Sequence, residues 1–570
     1  MANENSPLKP DHGQASPPNS LPGIAAAFLV KFDHRKGYVI AWHEAIEGVQ
    51  VEGTVEFKSL PSGLHNVRQD LVYFVQDRYA GISAFINHPD EDKERNANML
   101  AVGVLVPLEH GRVGKGWLHA EELEALARQN KLEGSKSALQ TPRPPEMSSD
   151  NLSLPKHRDG ANGHADGYKN LRAMSTGSDF PQGTHSLTPH HPATKLMDTL
   201  QLFGPLIFLL YRAALLRKRI LFVTEAPVEL ACNIVYNLSV VSSFPRSLLP
   251  YISGQHSAGR GSRPLFNVGI MDIPALSSED GWIACTTDDV LASKPELYDV
   301  VVFLPNEDAQ HAAKKQYPKI LLSSPELMKS FPKHGIRSTQ RDAVRYLSLM
   351  RGLKRYPPSA VANPKPVQIP MAQEGTTDDT ASILSTSTIA SRKEVVESAS
   401  WSQVAYTSLL WWASAGARRD GLSEDDEDDR DRDEMLLSSD DENVTKEVAV
   451  VGYFRRLTGL VVSVLSQLTQ DEDDTAGSEE EDENTSEIGT GSVVVEDEET
   501  GEEHQHLLPE ASQQSQDDQT EITPEDMMSM ALDVWSASDR KFVEEFAQLY
   551  WQRQAKVRGG RVECCGVRIL

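Results

Sequence analysis

The sequence contains little cysteine, and the few cysteines are not placed as metal ligands. Four occur in 570 residues, with no CxxC pair and no Cys/His cluster at zinc-ligand spacing. So low a content excludes a disulfide framework and is typical of a protein in a reducing compartment. Histidines scattered between residues 131 and 194 also lack Cys or carboxylate partners at ligand spacing. We therefore predict a cytoplasmic protein that binds no metal.

The sequence also lacks the patterns of a secretory signal and of a membrane-spanning helix. Its first residues are polar and proline-rich, without the basic and then apolar regions of a secretory signal. The longest apolar run, Leu202–Leu216, has 15 residues and is interrupted by Tyr211 and Arg212, whereas a spanning helix needs ~20. We expect no transmembrane segment.

An excess of basic charge is missing too, and the acidic excess lies in two segments. The formal net charge is −27, of which 421–442 carries −10 and 471–503 carries −16. A chain that repels phosphate is a poor candidate for binding nucleic acid, and we predict no such partner. We interpret the two acidic segments as solvating loops. The alternative is that serines preceding the acids are substrates of acid-directed kinases. These serines are Ser423, Ser438, Ser439 and Ser478.

Signatures of common active sites are absent as well. The chain has no GxxxxGK[ST], no GxGxxG after a strand, no GxSxG, no HExxH and no kinase motif set. A glycine cluster at 111–116 lacks the spacing of a phosphate loop, and we interpret it as a turn. Asp288 and Asp289 are interpreted as the start of a helix rather than as metal ligands. We predict no catalytic residue of the usual kind and no cofactor.

Two regions show the hydrophobic patterns of sheet domains. Residues 23–130 contain strand-like runs followed by a helix, which predicts an antiparallel sheet in an α+β domain. Residues 195–354 alternate helices and strands, which predicts an α/β domain with a largely parallel sheet. Its first apolar helix should break at Gly204-Pro205, because proline cannot continue a helix.

The remaining ordered sequence is helical. Residues 394–570 contain three apolar helical stretches, which predict one helical domain interrupted by disordered acidic loops at 421–442 and 471–522. Three tryptophans in the first stretch are interpreted as core residues, with an exposed binding patch as the alternative. They are Trp401, Trp411 and Trp412. The segments 1–22, 131–194 and 355–393 are predicted to be disordered, since they have few large apolar residues.

Several blocks of the sequence, in their order, resemble the tripartite DENN module and in particular its LCHN-like branch. FLVKFDHRKGYVIAW (Phe28–Trp42) is similar to the opening strands of a longin-type N-terminal domain. LFGPLIFLLYRAALLRKRILFVTEAPVELACNIVYNL and TTDDVLASKPELYDVVVFLP (Thr286–Pro305) are similar to the central DENN core. SWSQVAYTSLLWWASAG and GYFRRLTGLVVSVL resemble the downstream helical part.

The resemblance implies a guanine-nucleotide exchange factor, or another regulator, of a Rab-type small GTPase in vesicle traffic. In such proteins the longin-type and central domains together bind the switch regions of the GTPase and stabilise its nucleotide-free form. No side chain performs covalent chemistry there, since the rate enhancement is differential binding. Intracellular membranes would be reached indirectly, through the GTPase, giving a cytoplasmic protein that associates transiently with vesicles.

Two alternative functions are compatible with the same fold but would act on the GTPase differently. A GTPase-activating protein would insert an arginine finger, and Arg112, on the glycine-rich turn, is the candidate. The other interpretation of Arg112 is an exposed turn residue. An adaptor would bind a GTPase or a vesicle coat without altering its nucleotide. Arg112→Ala would distinguish the finger, because it should abolish stimulated hydrolysis while binding persists.

Overall fold

The protein is described by a computed structural model. It describes residues 21–33, 35–89, 97–108, 114–133, 186–252, 261–306, 315–323, 335–361, 395–398, 404, 424–438, 444–479, 519–558, 563–564 and 567–568. Several residues singled out above lie outside these ranges, so the predictions for them remain predictions. They are Arg112, Trp401, Trp411, Trp412, Ser423 and Ser439.

Within the described residues, the strands form one ten-stranded sheet and three two-stranded sheets. The strands are β1 (Ala26–Asp33), β2 (Gly37–Ala45), β3 (Gln69–Gln76), β4 (Tyr79–Pro89), β5 (Ala97–Pro107), β6 (Ser186–Leu187), β7 (Ile220–Val223), β8 (Arg263–Asn267), β9 (Trp282–Thr286), β10 (Val300–Phe303), β11 (Lys319–Leu322), β12 (Ala360–Val361), β13 (Gln519–Ile522), β14 (Gln554–Val557), β15 (Glu563–Cys564) and β16 (Val567–Arg568). The order in the large sheet is β11-β10-β7-β9-β8-β3-β4-β5-β1-β2.

Helices cover both faces of the large sheet. They are α1 (Val55–Ser59), α2 (Ala120–Glu133), α3 (Leu196–Phe203), α4 (Leu206–Leu215), α5 (Glu229–Val241), α6 (Ile273–Ser278), α7 (Asp289–Ala292), α8 (Gln340–Gly352), α9 (Glu424–Leu437), α10 (Lys446–Glu479), α11 (Pro524–Ser529) and α12 (Ala537–Trp551). Short 3-10 helices include Gly116–His119, Pro192–Lys195 and Ile270–Asp272.

The first five strands form the antiparallel half of the sheet, as predicted. β3, β4, β5, β1 and β2 are neighbours in that order, and every pair is antiparallel. The β1–β2 turn is closed by Asp33, whose carboxylate accepts hydrogen bonds from the backbone N–H of Arg35 and of Lys36. Gly37 ends this turn at φ +80°, a conformation that glycine adopts without strain. α2 then packs on β4 and β5.

The other half of the sheet is largely parallel, also as predicted. β8, β9, β7 and β10 run parallel, and β11 adds an antiparallel edge. Both faces are buried: Ile220 and Phe222 of β7 join the core with α3, α4 and α5, while Leu221 and Val223 join a smaller core with α6 and α7. The predicted helix break at Gly204-Pro205 is confirmed between α3 and α4.

The two predicted sheets are halves of one continuous sheet. They meet where β3 pairs antiparallel with β8 through a single residue pair, Phe74 and Phe266. Phe266 has φ +58° at an irregularity in the β8–β9 register, and its ring lies 5.7 Å from that of Tyr73. Backbone pairing between the halves is therefore minimal, and side chains must supply most of the connection.

The predicted disorder is wrong at the edges of two linkers. Residues 186–194 of the first contain β6 and the start of a 3-10 helix, and β6 pairs in parallel with β12, which lies in the predicted linker 355–393. Pro192 and Ala193 are buried. Composition averaged over a long segment conceals such short anchors. The central parts of both linkers lie outside the described residues.

The prediction of a loop at 421–442 is also wrong for residues 424–437. Residues 424–437 form α9, and α10 and β13 occupy the two ends of the second predicted loop, 471–479 and 519–522. In α9, Asp433, Leu436 and Leu437 are buried on one helical face. The charge count hid this face, because the acidic residues around it dominate the composition.

A buried ion network joins α4 to the helical region. Arg212 of α4 donates two hydrogen bonds to the carboxylate of Asp342 in α8, at 2.9 and 2.5 Å. The same guanidinium lies 3.4 Å from Asp539 of α12. Burial raises the pKa of Asp539 to about 6, which Arg212 opposes and Asp342 reinforces. A central-domain helix and the last helix are thus tied to the same acid–base cluster.

The network continues into α9. Arg341 of α8 donates to both carboxylate oxygens of Asp433, at 2.8 and 3.1 Å. Arg345, which is fully buried, lies 3.4 Å from Asp433 and 3.5 Å from Asp342. The hydroxyl of Tyr453 in α10 donates to Asp433 at 3.4 Å. One aspartate of an acidic segment is therefore the partner of two buried arginines.

Candidate functional site

Both halves of the sheet contribute to one surface at the carboxyl ends of the parallel strands. β8 ends at Asn267 and β9 at Thr286, and the turns that follow them project from this edge. The loop after α1 belongs to the antiparallel half and contacts this edge. Its Ser62 hydroxyl donates a 2.6 Å hydrogen bond to the carboxylate of Asp288, which follows β9. Turns at this edge commonly form binding sites in α/β sheets.

Lys58 of α1 fixes the antiparallel half to this edge. Its ammonium group lies 2.7 Å from the carboxylate of Asp272 and donates to the backbone carbonyl of Val75 at 2.7 Å. The backbone carbonyl of Lys58 accepts a hydrogen bond from the Asn267 side chain at 3.1 Å. Lys58 is buried, so these interactions lie beneath the surface rather than on it. They set where α1 stands relative to β8.

Asp70 makes a second connection between the halves. This buried carboxylate in β3 accepts hydrogen bonds from the backbone N–H of Val228 at 2.8 Å and of Glu229 at 3.1 Å. These are among the unpaired N–H groups at the start of α5, where a negative charge also favours the helix dipole. A strand of one half therefore caps a helix of the other.

Above these buried contacts lie exposed apolar side chains from three elements. Phe57 of α1 is 44% exposed, Ile270 and Met271 are 49% and 59% exposed, and Val290 of α7 is 47% exposed. We call these four residues the junction surface. Tyr38 of β2 extends it, with its ring 6.3 Å from that of Phe57. Exposed apolar residues rimmed by charges are typical of protein-binding surfaces.

Two acidic residues, Asp288 and Asp289, lie beside Val290 at the rim of this surface. Asp288 accepts from Ser62 and lies near Tyr38, whose pKa is raised by burial and by this carboxylate. Asp289 begins α7, which confirms the interpretation of the Asp288–Asp289 pair as a helix start. No group of three or more His, Cys, Asp or Glu side chains in the described part of the chain is placed to hold a metal ion.

A third connection lies on the helical face of the sheet. The ring of His191 packs 4.6 Å from that of Trp117, in the antiparallel half, and 5.7 Å from that of Tyr236 in α5. Its Nδ1 accepts a 3.0 Å hydrogen bond from the backbone N–H of Ala193. Burial lowers the pKa of His191 to about 4, so the ring is neutral at physiological pH.

Sequence reasoning found some of this region and missed its functional side chains. The strands and the Asp288 helix start were predicted, whereas Lys58, Asp70 and Asp272 were not singled out. The structure places Gly114, of the predicted glycine turn, where a Cβ would lie 2.2 Å from the carbonyl oxygen of Pro107, which supports the turn interpretation. One available signal was Asp70 itself, an acid directly before the apolar run Leu71–Val75.

The long helix α10 contains the second of the three predicted helical stretches and extends it into the second acidic segment. Its segment Lys446–Gln470 is apolar and long enough, by composition, to cross a membrane. In the structure, 61% of its most apolar window is buried. It packs against α3 and α5, as a core helix does.

Comparison with known proteins bears on the whole sheet. The family model described as DENN domain-containing protein 11 (DENND11) matches residues 27–314, which include all of the large sheet except β11 and the first residue of β1. The chain belongs to this DENN family. A second model, described as a domain of unknown function (DUF4484), matches residues 396–570.

Relatives of this DENN protein occur in animals and fungi. DENN domain-containing protein 11 of Danio rerio is 32% identical over 309 residues, 53% of this chain and 57% of that protein. The Rattus norvegicus protein of that name is 32% identical over 289 residues, 50% of this chain and 59% of that protein. Uncharacterized protein ANR2 of Saccharomyces cerevisiae is 28% identical over 341 residues, 55% and 63% of the two chains. The chain thus covers less than two thirds of each relative.

Proposed function

We propose that this DENN-family protein regulates a Rab-type small GTPase in membrane traffic, acting as a guanine-nucleotide exchange factor. The observation that carries the proposal is the junction surface, which draws Phe57 from one half of the sheet and Ile270, Met271 and Val290 from the other. A partner seated there contacts both halves at once. It needs no catalytic side chain, because exchange requires only that the nucleotide-free partner bind more tightly than the loaded one.

The buried contacts beneath the surface suit this task. Exchange depends on holding the partner in one geometry, and the two halves share only one backbone pair. Lys58 and Asp70 supply side-chain connections on either side of that pair. Their role is to preorganise the surface, which lowers the cost of binding.

The test is release of a fluorescent GDP analogue from a panel of purified Rab-type GTPases. We expect the protein to accelerate release from one or a few members. The double variant Phe57→Ser, Met271→Ser should lower the stimulated rate roughly tenfold or more, as loss of central interface residues does. The control is Leu549→Ser, an exposed leucine of α12 away from the junction, which should leave the rate unchanged.

Two outcomes would contradict the proposal. If the double variant stimulates release as well as the parent chain does, the junction surface is not the contact. If the folded parent chain accelerates no member, exchange itself is wrong. GTP hydrolysis and binding would then be measured on the same panel, with Arg112→Ala to test the arginine finger and retained binding alone to support an adaptor.

We further propose that the protein is cytoplasmic and reaches vesicles through its GTPase partner. Cell fractionation should find it in the soluble pool, with a vesicle fraction that disappears when the junction surface is mutated. Retention on membranes after carbonate extraction would contradict this.

A further inference from the structure

The carboxyl end of α9 carries an exposed serine, and its last turn interacts with two arginine side chains. Ser438 directly follows the helix, and its backbone N–H donates to the carbonyl of Glu434 at 3.0 Å. The residue is exposed. Its hydroxyl is therefore accessible to an enzyme, while its backbone is held by the last turn of the helix.

The surrounding sequence suits a kinase that recognises acids. Ser438 is followed by Ser439, Asp440, Asp441 and Glu442, which puts a carboxylate three residues after the serine. Cationic side chains of an acid-directed kinase can pair with these carboxylates, since opposite charges steer and orient a substrate. The solvating interpretation of the acidic segment does not account for the contacts that surround this serine.

Two arginines interact with the last turn of α9, which Ser438 directly follows. Glu434 lies four residues before Ser438 and hence on the same helical face, and Arg355 forms an ion pair with it. Arg456 of α10 donates to the carbonyl of Leu436, two residues before the serine. Tyr356, next to Arg355, donates to the carbonyl of Leu437 at 2.7 Å. Donors from two other segments thus converge on the last turn of α9.

We propose that Ser438 is a phosphorylation site for an acid-directed serine kinase, and that Arg355 and Arg456 hold the phosphate. The kinase transfers the γ-phosphoryl group of ATP: a bond forms between phosphorus and Ser438 Oγ, the bond from that phosphorus to the bridging oxygen of ADP breaks, and the hydroxyl proton passes to the base of the kinase. The product carries about −1.5 to −2 charge.

The sign of the effect on α9 follows from the two opposing interactions. A negative charge at a helix carboxyl end is unfavourable to the helix dipole. Arginine and phosphate form short, charge-assisted and often bidentate hydrogen bonds, which are the stronger interaction. Phosphorylation should therefore stabilise the contacts of the end of α9 with α10 and with the segment after α8.

The test treats the full chain with an acid-directed serine kinase and ATP, maps the phosphate by mass spectrometry, and follows amide hydrogen exchange. We expect phosphate on Ser438, absent from Ser438→Ala, and roughly threefold to tenfold slower exchange of the amides at the end of α9. Arg355→Gln should still be phosphorylated but lose this slowing. Its matched control is Arg351→Gln, an exposed arginine in the last turn of α8, which should keep it.

Three results would overturn the proposal. The kinase could modify other serines and leave Ser438 free. Phosphate on Ser438 could speed the exchange of α9, which would mean that helix-dipole repulsion dominates. The slowing could also persist in Arg355→Gln and in Arg456→Gln, which would exclude the arginine receptor. All three readouts are independent of any effect on a GTPase.

Discussion

The junction between the half-sheets and the helical region are both held by ion pairs, but of different kinds. At the junction a single pair, Lys58 and Asp272, connects α1 with the turn after β8. In the helical region Arg212 and Arg345 each lie close to two carboxylates, and Asp433 serves both Arg341 and Arg345. Loss of a simple ion pair affects only its two side chains. Removal of a shared carboxylate leaves several buried charges uncompensated.

The difference indicates where the protein can adjust. The network makes α4, α8, α9 and α12 interdependent, so this part should unfold as one unit. The junction is held by separate contacts: one backbone pair, the Lys58–Asp272 pair, the helix cap of Asp70, the Ser62–Asp288 hydrogen bond and the ring contacts of His191. We therefore expect the two half-sheets to shift relative to each other at a low cost in free energy. The shift would occur beneath the junction surface, which we propose as the binding site.

The largest expected effect is on the network. Asp433→Ala leaves Arg341 and Arg345 without their shared carboxylate and should lower the free energy of unfolding by about 3–5 kcal/mol. Chemical denaturation of the full chain measures this. Asp431→Ala, an exposed aspartate of the same helix, is the control and should change stability by less than about 0.5 kcal/mol. Equal effects of the two variants would mean that the network is not what retains α9.

A smaller effect is expected at the junction. Lys58→Met keeps the apolar stem but leaves Asp272 and the Val75 carbonyl without their donor, which should cost about 1–3 kcal/mol. Lys36→Met, in the exposed β1–β2 turn, is the control. GDP release should also slow in Lys58→Met, because α1 is no longer held beside β8. If Lys58→Met stimulates GDP release normally and binds the GTPase with normal affinity, Lys58 is not needed for the proposed function.

The smallest effect concerns pH. Burial lowers the pKa of His191 to about 4, whereas an unfolded histidine titrates near 6.5. Below pH 6.5 the unfolded chain takes up a proton that the folded chain does not, so this contribution to stability is present above pH 6.5 and is lost as the pH falls toward 4. Between pH 7 and 5.5 the parent chain should lose about 1 kcal/mol relative to His191→Asn.

Asparagine is chosen there because it can still accept the hydrogen bond from Ala193, as helix-capping side chains do. The same substitution at the exposed His43 is the control for the exchange of imidazole for an amide. A pH dependence that is identical in the parent chain and in His191→Asn would show that burial does not keep the ring neutral.

Local patterns in the sequence were sufficient to predict most of the sheet. The turn between β1 and β2, the buried strands of the parallel half and the helix break at Gly204-Pro205 depend on neighbouring residues, and all three were predicted. The DENN resemblance was confirmed for the same reason, because its blocks are packing patterns. The helix α9 was not predicted, since its buried face of Asp433, Leu436 and Leu437 is small beside its exposed acids.

The candidate site was harder to predict because its pairs are distant in sequence. Asp70 caps a helix whose first amides lie 158 and 159 residues further on. Lys58 sits in a five-residue helix, and nothing near it marks Asp272 as its partner. These pairings exist only once β3 and β8 are neighbours, and no local pattern specifies that neighbour.

The burial of α10 has a consequence for the order of synthesis. A helix of this length and apolarity could engage the machinery that inserts helices into membranes. Several of its packing partners precede it in the chain: the ring of Phe454 lies 5.5 Å from that of Phe208, and the hydroxyls of Thr458 and Tyr211 are 2.6 Å apart. Because a chain leaves the ribosome from its N-terminus and folds in that order, α3, α4 and α5 are already available when α10 emerges. These helices can cover part of α10 as soon as it is made, and α11 and β13 complete its packing later.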